Sequence, residues 1–492
     1  MQRRDPAHLS RRAQLKLDEA ASSPLVSARA RTTANQARLV FASSLSRTRG
    51  LTGSFLCCQW SEDNTGGIVN AGLAENSLMH DWLTTLWERK GSLKIERTDL
   101  TYGTSILGSH RLLRALAAYY STYFKPASPG EPQHIATSNG LSSMIEHLAA
   151  VISDAEDAWL LPTPWYYSFV RDLGAVSQVR IASVAIPTGQ NGTLAEVEAM
   201  DAEMERRRRS GVQQKVTAIL VTNPHNPLGF CYPRHVLVAY AKLAEKWGLY
   251  LVSDEIYANS VFGGVDFVSI LSIDVLREAS CNPSRIVALY GMSKDFGANG
   301  FRAGSLVCQH NDRIMSALAA GAMPMRMGSP TDILWSALLT SPDLATYLDK
   351  NRQKLLRAYT YVTAWLDVHG IPYTPANAGH FVLVDFRAFV GQTARGSDAA
   401  GFRGNSGNQK RMAEEREGNS MCRYRDELDF LNLLVNGGVY LSSGMSYACP
   451  EPGFFRITFS IPRKELEVAL ERIELVCGLA NKAAALSKVY PQ

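Results

Sequence analysis

Apolar residues recur along the chain in short continuous runs, and stretches of helical periodicity separate these runs. Four of the runs are AWLLP, VTAILVT, LYLVS and RIVALY. In the intervening stretches apolar side chains repeat every three or four positions, as at Leu112, Leu113, Leu116 and Tyr119. Continuous apolar strands that alternate with helices indicate an α/β protein with a mostly parallel sheet covered by helices on both faces.

Three of the predicted strands carry chemically active residues at their carboxyl ends. Asn226 follows VTAILVT, Asp254 and Tyr257 follow LYLVS, and Lys294 follows RIVALY. Ligands of parallel sheets bind outside the carboxyl ends of the strands. The sequence therefore predicts a site at this edge of the sheet.

The stretch YGMSKDFGANGFRAG gives this site its chemistry. Lys294 has small apolar and glycine neighbours, which disfavour its charged form and make the amine available for a Schiff base with a carbonyl compound. Arg302 lies between Gly300 and Gly304, where close backbone approach suits a phosphate. The alternative is an exposed lysine and arginine on an ordinary turn.

Two further stretches offer anion or ring contacts. Gly140, Leu141 and Ser142 stand where the strand QHIATSNG meets a helix, so their N–H groups could hold an anion. In PTPWYYSF, one of the rings of Trp165, Tyr166 and Tyr167 could stack on a planar ligand, with core packing as the alternative.

Arg456 lies within the apolar strand GFFRITFS, where an unpaired guanidinium is costly. It therefore needs an anion. The anion is either a bound ligand or the carboxylate of a structural ion pair.

Composition narrows the function classes. The chain has 492 residues, 46% of them hydrophobic and 20% charged, with a net charge of +5. This charge calls for no nucleic-acid partner, and no run of about twenty apolar residues predicts a membrane span. The eight cysteines lack CxxC spacing, so we expect no metal site and a reducing, cytoplasmic setting.

Two segments differ from the globular remainder. Residues 1–60 are rich in Arg, Ser and Ala, which predicts a disordered or helical N-terminal arm, with a mitochondrial transit peptide as the alternative. Residues 391–421 are rich in Gly, Ser and charge, which predicts a disordered insertion.

Four motifs, NPHNPLG, SDEIYANSVF, SKDFGANGFRAG and GFFRITFS, resemble in order and spacing the pyridoxal-phosphate enzymes of aspartate-aminotransferase fold type. GLAENSLM and EPGFFR are similar to the aminocyclopropane-carboxylate synthase-like branch, which includes fungal secondary-metabolite aminotransferases and carbon–sulfur lyases. The resemblance implies a seven-stranded large domain over 111–345 and a smaller α+β domain formed by 66–110 and 346–492. It also implies a homodimer.

The resemblance assigns roles to the residues of the predicted edge. Lys294 would form the Schiff base with pyridoxal phosphate and move the α-proton of an amino-acid substrate. Asp254 would pair with the ring nitrogen, and Asn226 and Tyr257 with the phenolic oxygen. Tyr166 would stack on the ring, with Trp165 as the second choice.

The remaining roles concern the phosphate and the substrate. Arg302 and the 140–142 turn would bind the phosphate, which Tyr102 of a second subunit would also reach. Arg456 would bind the substrate carboxylate, and Glu75 would lie near the substrate amino group.

One departure from the family pattern weakens the phosphate site. Gly291 stands where the family usually has a hydroxyl residue, so we expect weaker cofactor retention. Three readings of the function follow: an aminotransferase, which we favour; an eliminating or carbon–sulfur lyase; and a catalytically degenerate homologue that only binds the cofactor.

Overall fold

The computed structural model describes residues 59–89, 91, 93–390 and 420–490. The N-terminal arm predicted over 1–60 lies outside these residues except for its last two positions. Most of the insertion predicted over 391–421 also lies outside them, and its last two positions fall in the helix Ser420–Asn436.

A seven-stranded sheet dominates the structure, as the resemblance predicted. Its spatial order is β2-β8-β7-β6-β5-β3-β4, and every neighbouring pair is parallel except those made by β8. The strands are β2 (Ile135–Asn139), β3 (Ala158–Pro162), β4 (Arg180–Val184), β5 (Val216–Thr222), β6 (Tyr250–Asp254), β7 (Ile286–Gly291) and β8 (Ala303–Val307).

Helices cover both faces of this sheet because its central strands are buried on both sides. In β5, for example, Ile219 and Val221 face one apolar cluster, whereas Ala218 and Leu220 face the other. The second cluster includes helices α3 (Leu141–Ile152), α4 (Phe169–Gly174) and α8 (Asp312–Gly321). The first includes α2 (His110–Tyr123), α5 (Leu194–Arg209), α6 (Arg234–Trp247), α7 (Val275–Ala279) and α9 (Ser329–Leu339).

A smaller antiparallel sheet of order β12-β13-β10-β9 lies beside the large one. Its strands are β9 (Tyr373–Thr374), β10 (Phe381–Asp385), β12 (Ser442–Ser443) and β13 (Phe454–Thr458). Strand β1 (Val69–Asn70) pairs with β11 (Val439–Tyr440). The accompanying helices are α1 (His80–Glu88), α10 (Leu344–Val368), α11 (Ser420–Asn436), α12 (Arg463–Cys477) and α13 (Ala483–Val489).

The topology brings the predicted site residues to one edge of the large sheet. The parallel strands β5, β6 and β7 end there, and the antiparallel strand β8 begins there, directly after Arg302. One strand thus presents its amino end where its neighbours present their carboxyl ends. Within the described part of the chain, no helix has the length and apolar character needed to cross a membrane.

Candidate active site

Lys294 lies in the loop that follows β7, three residues beyond the strand. Its side chain is partly buried, and Nζ donates a hydrogen bond of 2.6 Å to the carbonyl oxygen of Ala74. Burial lowers the pKa of Lys294 to about 8, assisted by the positive charges of Arg456 and Arg302 and opposed by the nearby carboxylates. A substantial fraction of the amine is therefore neutral, and nucleophilic, near physiological pH.

Asp254 is the last residue of β6 and is buried. Its Oδ1 accepts a hydrogen bond of 3.2 Å from the backbone N–H of Ile256. Burial raises the pKa of Asp254 to about 7, and the carboxyl of Asp172 adds to the effect. No cationic side chain of the described residues lies within 4.0 Å of this carboxyl group, so it is a buried acid that a ligand cation would stabilise.

Arg456 lies in the middle of β13 and is 1% exposed. Nη1 donates to Oδ1 of Asn226 (2.8 Å) and Nη2 donates to the carbonyl oxygen of Gly72 (2.6 Å). The guanidinium carbon is 4.5 Å from the ring centroid of Phe381 and 5.0 Å from that of Tyr447.

These partners of Arg456 are all neutral. Nε has no hydrogen-bond partner, and no carboxylate of the described residues forms an ion pair with Arg456. The structural ion pair considered as an alternative is therefore not found there. A buried guanidinium with a spare donor is suited to an anionic ligand.

The other residues expected to contact the ring of a bound ligand lie at the same edge of the large sheet. Asn226 is buried in the loop after β5, and Tyr257 is buried with its ring edge-on to those of His380 and Phe381. Burial raises the pKa of the Tyr257 phenol. Of the two candidates for ring stacking, Tyr166 lies within the electrostatic reach of Asp254 and Arg456, whereas the indole N–H of Trp165 donates to Ser183 on β4.

An anion cradle forms where α3 begins. Gly140 has φ 88° and Arg302 adopts a left-handed conformation with φ 53°. A Cβ on Gly140 would overlap the guanidinium of Arg302, and a Cβ on Gly304 would lie 2.6 Å from the backbone nitrogen of Leu141. The glycines thus let an arginine and the first amides of a helix approach one another, which is the arrangement that binds phosphate.

Ser142 completes the first turn of α3 beside a buried acid. Burial raises the pKa of Asp172 to about 6, and a hydrogen bond from the Ser142 hydroxyl opposes that rise. The Ser142 side chain is thereby occupied, which leaves its backbone N–H as the group available to an anion.

Two predicted residues occupy different surroundings. Glu75 lies beside the lysine loop, where Oε1 accepts a hydrogen bond of 2.6 Å from Nδ2 of Asn299. Tyr102, in contrast, is 80% exposed, and the single chain does not bring it together with the other site residues.

Reasoning from the sequence missed a buried network directly behind Lys294. Asp295 is fully buried and accepts hydrogen bonds from Ser260 Oγ (2.6 Å), Tyr290 Oη (2.8 Å) and the N–H of Asn259 (2.8 Å). Ser260 Oγ also lies 2.8 Å from Nε2 of His380. An acid immediately after the lysine in SKD was the available signal, and the network holds the backbone that carries the amine.

Together these groups are suited to bind one kind of ligand. They offer a weakly basic amine, a buried carboxyl without a cation, a helix-terminal anion cradle and a second, buried arginine with an unpaired donor. A phosphorylated aldehyde with a basic ring nitrogen, such as pyridoxal phosphate, fits the first three groups. The buried arginine is left for a second anion.

Comparison with known proteins agrees with this geometry. The family described as aminotransferase class I and II matches residues 69–473. A probable aminotransferase of Aspergillus fumigatus, gliI, is 32% identical over 418 residues, which cover 84% of this chain and 90% of the relative. The 1-aminocyclopropane-1-carboxylate synthase-like protein 1 of Mus musculus is 29% identical, with 85% of this chain and 78% of the relative covered.

Solved structures show the same fold. The aspartate aminotransferase of Thermus thermophilus with maleate superposes with a TM-score of 0.62, covering 89% of this chain and 98% of that chain at 20% identity. The chain therefore belongs to the class I and II aminotransferases of pyridoxal-phosphate fold type I, within the branch that resembles aminocyclopropane-carboxylate synthase.

Proposed function

We propose that the protein is a pyridoxal-phosphate-dependent aminotransferase that acts on an α-amino acid. The observation that carries this proposal is a partly neutral lysine amine within electrostatic reach of a buried carboxyl group at the end of the neighbouring strand. Lys294 and Asp254 interact electrostatically across the ends of β7 and β6, and no other cation of the described residues pairs with Asp254.

Different residues of the chain would bind different parts of the cofactor. The amides of Leu141 and Ser142 and the guanidinium of Arg302 would hold its phosphate, and Asp254 its ring nitrogen. Asn226 and Tyr257 would hold its phenolic oxygen, and Tyr166 would lie against the ring. When bound, the cofactor supplies an electron-withdrawing ring that stabilises negative charge at the substrate α-carbon.

Arg456 and Lys294 would then act on the substrate. Arg456 binds the α-carboxylate through a donor that the protein leaves unpaired, which fixes the amino acid with its α-carbon toward the lysine loop. Lys294 would remove the proton from that carbon of the donor amino acid and, in the second half-reaction, would deliver a proton to the corresponding carbon of the keto-acid acceptor, a task suited to an amine whose pKa is about 8. The buried walls of Phe381 and Tyr447 exclude water from the ion pair.

An eliminating or carbon–sulfur lyase is the second candidate. It is favoured by Glu75, a carboxylate close enough to Lys294 to affect its pKa, because a second acid–base group can assist the departure of a substituent. The two reactions share every contact with the α-carbon and differ only in what leaves afterwards.

Stoichiometry with a single amino acid separates the candidates. The holoenzyme is incubated with each protein amino acid in turn, without a keto-acid acceptor, and keto acid and ammonia are measured. Aminotransfer yields at most one keto acid per site and no ammonia. Added pyruvate then accepts the amino group, so keto acid accumulates together with alanine and still without ammonia. Continuous release of keto acid with equimolar ammonia would replace the proposal with elimination.

A third candidate function is binding of the cofactor without catalysis, and it is favoured by Gly291, the departure from the family pattern at the phosphate site. Reduction of the holoenzyme with borohydride, followed by peptide mapping, tests it. We expect a stable adduct on Lys294. Its absence, together with no turnover of any amino acid, would support the degenerate reading.

We further propose a homodimer in which Tyr102 completes the phosphate site of the partner subunit. Support comes from the 80% exposure of Tyr102 and from the exposed apolar residues Leu100 and Ile95 near it in sequence. Light scattering and the cofactor affinity of Tyr102→Phe test this assembly. A fully active monomer would contradict it.

A further inference from the structure

Asn299 forms hydrogen bonds with two site residues, Glu75 and Arg302, which have separate roles in the sequence analysis. It begins a short 3₁₀ turn, Asn299–Phe301, between Lys294 and Arg302. Its side-chain Nδ2 donates to Oε1 of Glu75 at 2.6 Å, and its backbone carbonyl accepts from Nη1 of Arg302 at 3.0 Å. The side chain thus serves Glu75, while the backbone serves the phosphate arginine.

The main chain around Glu75 is held independently of Asn299. The carbonyl of Glu75 accepts from Ser460 Oγ at 2.6 Å, and its N–H donates to the carbonyl of Leu73 at 2.9 Å. Nearby, Nε2 of His80 lies 3.0 Å from the carbonyl of Gly297. Among the described residues, Asn299 is the only hydrogen-bond donor to the carboxylate of Glu75.

The direction of the Glu75 carboxylate affects the protonation of Lys294, because Lys294 is hydrogen-bonded to Ala74, the residue before Glu75. Nζ of Lys294 donates to the carbonyl of Ala74, and the Glu75 carboxylate lies within electrostatic reach of the amine. The charged groups that act on the amine are Arg456, Glu75, Asp254 and Arg302, and Glu75 is the stronger of the two carboxylates that favour its protonated form.

We propose that Asn299 is a positioning residue that holds the Glu75 carboxylate at the place where the substrate ammonium enters. This inference rests on the proposed function and extends it. It assigns recognition of the free α-amino group of the substrate to the Glu75 carboxylate, which the side-chain amide of Asn299 orients. Loss of the Asn299 side chain leaves its backbone bond to Arg302 intact, so substrate recognition and phosphate binding can be separated.

The first test needs neither substrate nor cofactor. In the apoenzyme, the pH midpoint for reductive methylation of Lys294 is followed by peptide mass spectrometry. Glu75→Gln lowers this midpoint by about half a pH unit, because it removes a negative charge beside the amine. Asn299→Ala lowers it in the same direction, because the released carboxylate turns toward solvent.

A double variant and a matched control make this test decisive. Glu75→Gln/Asn299→Ala should show the midpoint of Glu75→Gln alone, since Asn299 acts only through Glu75. Asn191 provides the control, because its Nδ2 also donates to a glutamate, Glu196, but far from the lysine loop, and Asn191→Ala should leave the midpoint unchanged. A wild-type midpoint in Asn299→Ala, or additive shifts in the double variant, would overturn the proposal.

The second test uses the holoenzyme and the amino acid turned over fastest in the stoichiometry screen. We expect Asn299→Ala to raise KM about tenfold, with kcat and the cofactor Kd changed less than threefold. Asn299→Asp, which places a second carboxylate against Glu75, should raise KM at least as much. A loss of cofactor affinity in Asn299→Ala that matches the change in KM would contradict the assigned role.

The two tests also keep this inference apart from the proposed function. A shifted midpoint in the apoenzyme without turnover of any amino acid would retain the positioning role of Asn299 and reject the aminotransferase. Turnover with a wild-type midpoint in Asn299→Ala would do the reverse.

Discussion

Gly291 lies against Ala303 so closely that a Cβ on Gly291 would come 2.5 Å from the carbonyl oxygen of Ala303. The two residues stand where β7 ends and the antiparallel β8 begins, and Gly291 is paired with Gly304 across the ladder. The glycine that replaces the usual hydroxyl residue is therefore a packing requirement of this strand pair. The phosphate site has to rely on Arg302 and the start of α3.

We predict that Gly291→Ser weakens the protein instead of restoring a phosphate contact. The added side chain would push β7 away from β8, at a cost of about 1–3 kcal/mol in the free energy of unfolding. Urea unfolding and the Kd of pyridoxal phosphate measure the two effects. Gly300→Ser is the control, because no atom lies within 4 Å of a Cβ at Gly300. Tighter cofactor binding at unchanged stability would refute the packing argument.

Replacement of the lysine amine should abolish the chemistry without unfolding the protein. Lys294→Ala loses the visible absorbance of the holoenzyme, and kcat falls by about 10³-fold or more. Lys354→Ala is a matched control, since Lys354 is also partly buried and donates 2.7 Å to a backbone carbonyl, that of Leu78. An unchanged spectrum in Lys294→Ala would remove the basis of the proposed function.

The buried carboxyl of Asp254 should make the apoenzyme lose stability as pH rises. Because its folded pKa is raised from 3.8 to about 7, the stabilising protonated form is complete below pH 4 and is lost as pH rises through 7. Asp254→Asn keeps a neutral group there. Its stability relative to wild type should therefore increase between pH 5 and pH 8.5, by about 1–4 kcal/mol.

Thermal unfolding of the apoenzymes at both pH values measures this difference. Asp201→Asn is the control, because partial burial is outweighed at Asp201 by hydrogen bonds from Lys246 and Trp247, which lower its pKa. Asp201 is therefore ionised in the folded and the unfolded state above pH 5, and the stability of Asp201→Asn relative to wild type should not change between the two pH values. The same pH dependence in Asp254→Asn and in wild type would show that the carboxyl is not desolvated as described.

Shortening the buried arginine should weaken binding of the substrate carboxylate. Arg456→Lys loses the planar donor pair and the bond to Asn226, and we expect KM to rise about 10- to 100-fold with cofactor affinity retained. Arg463→Lys serves as the control, because Arg463 also stacks on an aromatic ring, that of Tyr361, and donates to backbone carbonyls. Equal KM values for both variants would argue against a carboxylate site at Arg456.

The local pattern of the chain determined the strands and the order in which the reactive residues follow them. VTAILVT and RIVALY are apolar at every position because both faces of a parallel sheet are covered, and this local requirement is visible in a single sequence. The motifs around Asp254 and Lys294 likewise were sufficient to identify the family and to predict the fold.

Contacts between distant segments were decided only by the tertiary structure. The bond from Asn299 to Glu75 joins residues 224 positions apart, and the crowding of Gly291 depends on how the following loop returns β8 to β7. Neither leaves a periodic signal, because a hydrogen bond or a close approach depends on where two backbones meet in space. The sequence contains the reacting groups, but only the packing of its strands and loops sets their distances and the protons they hold.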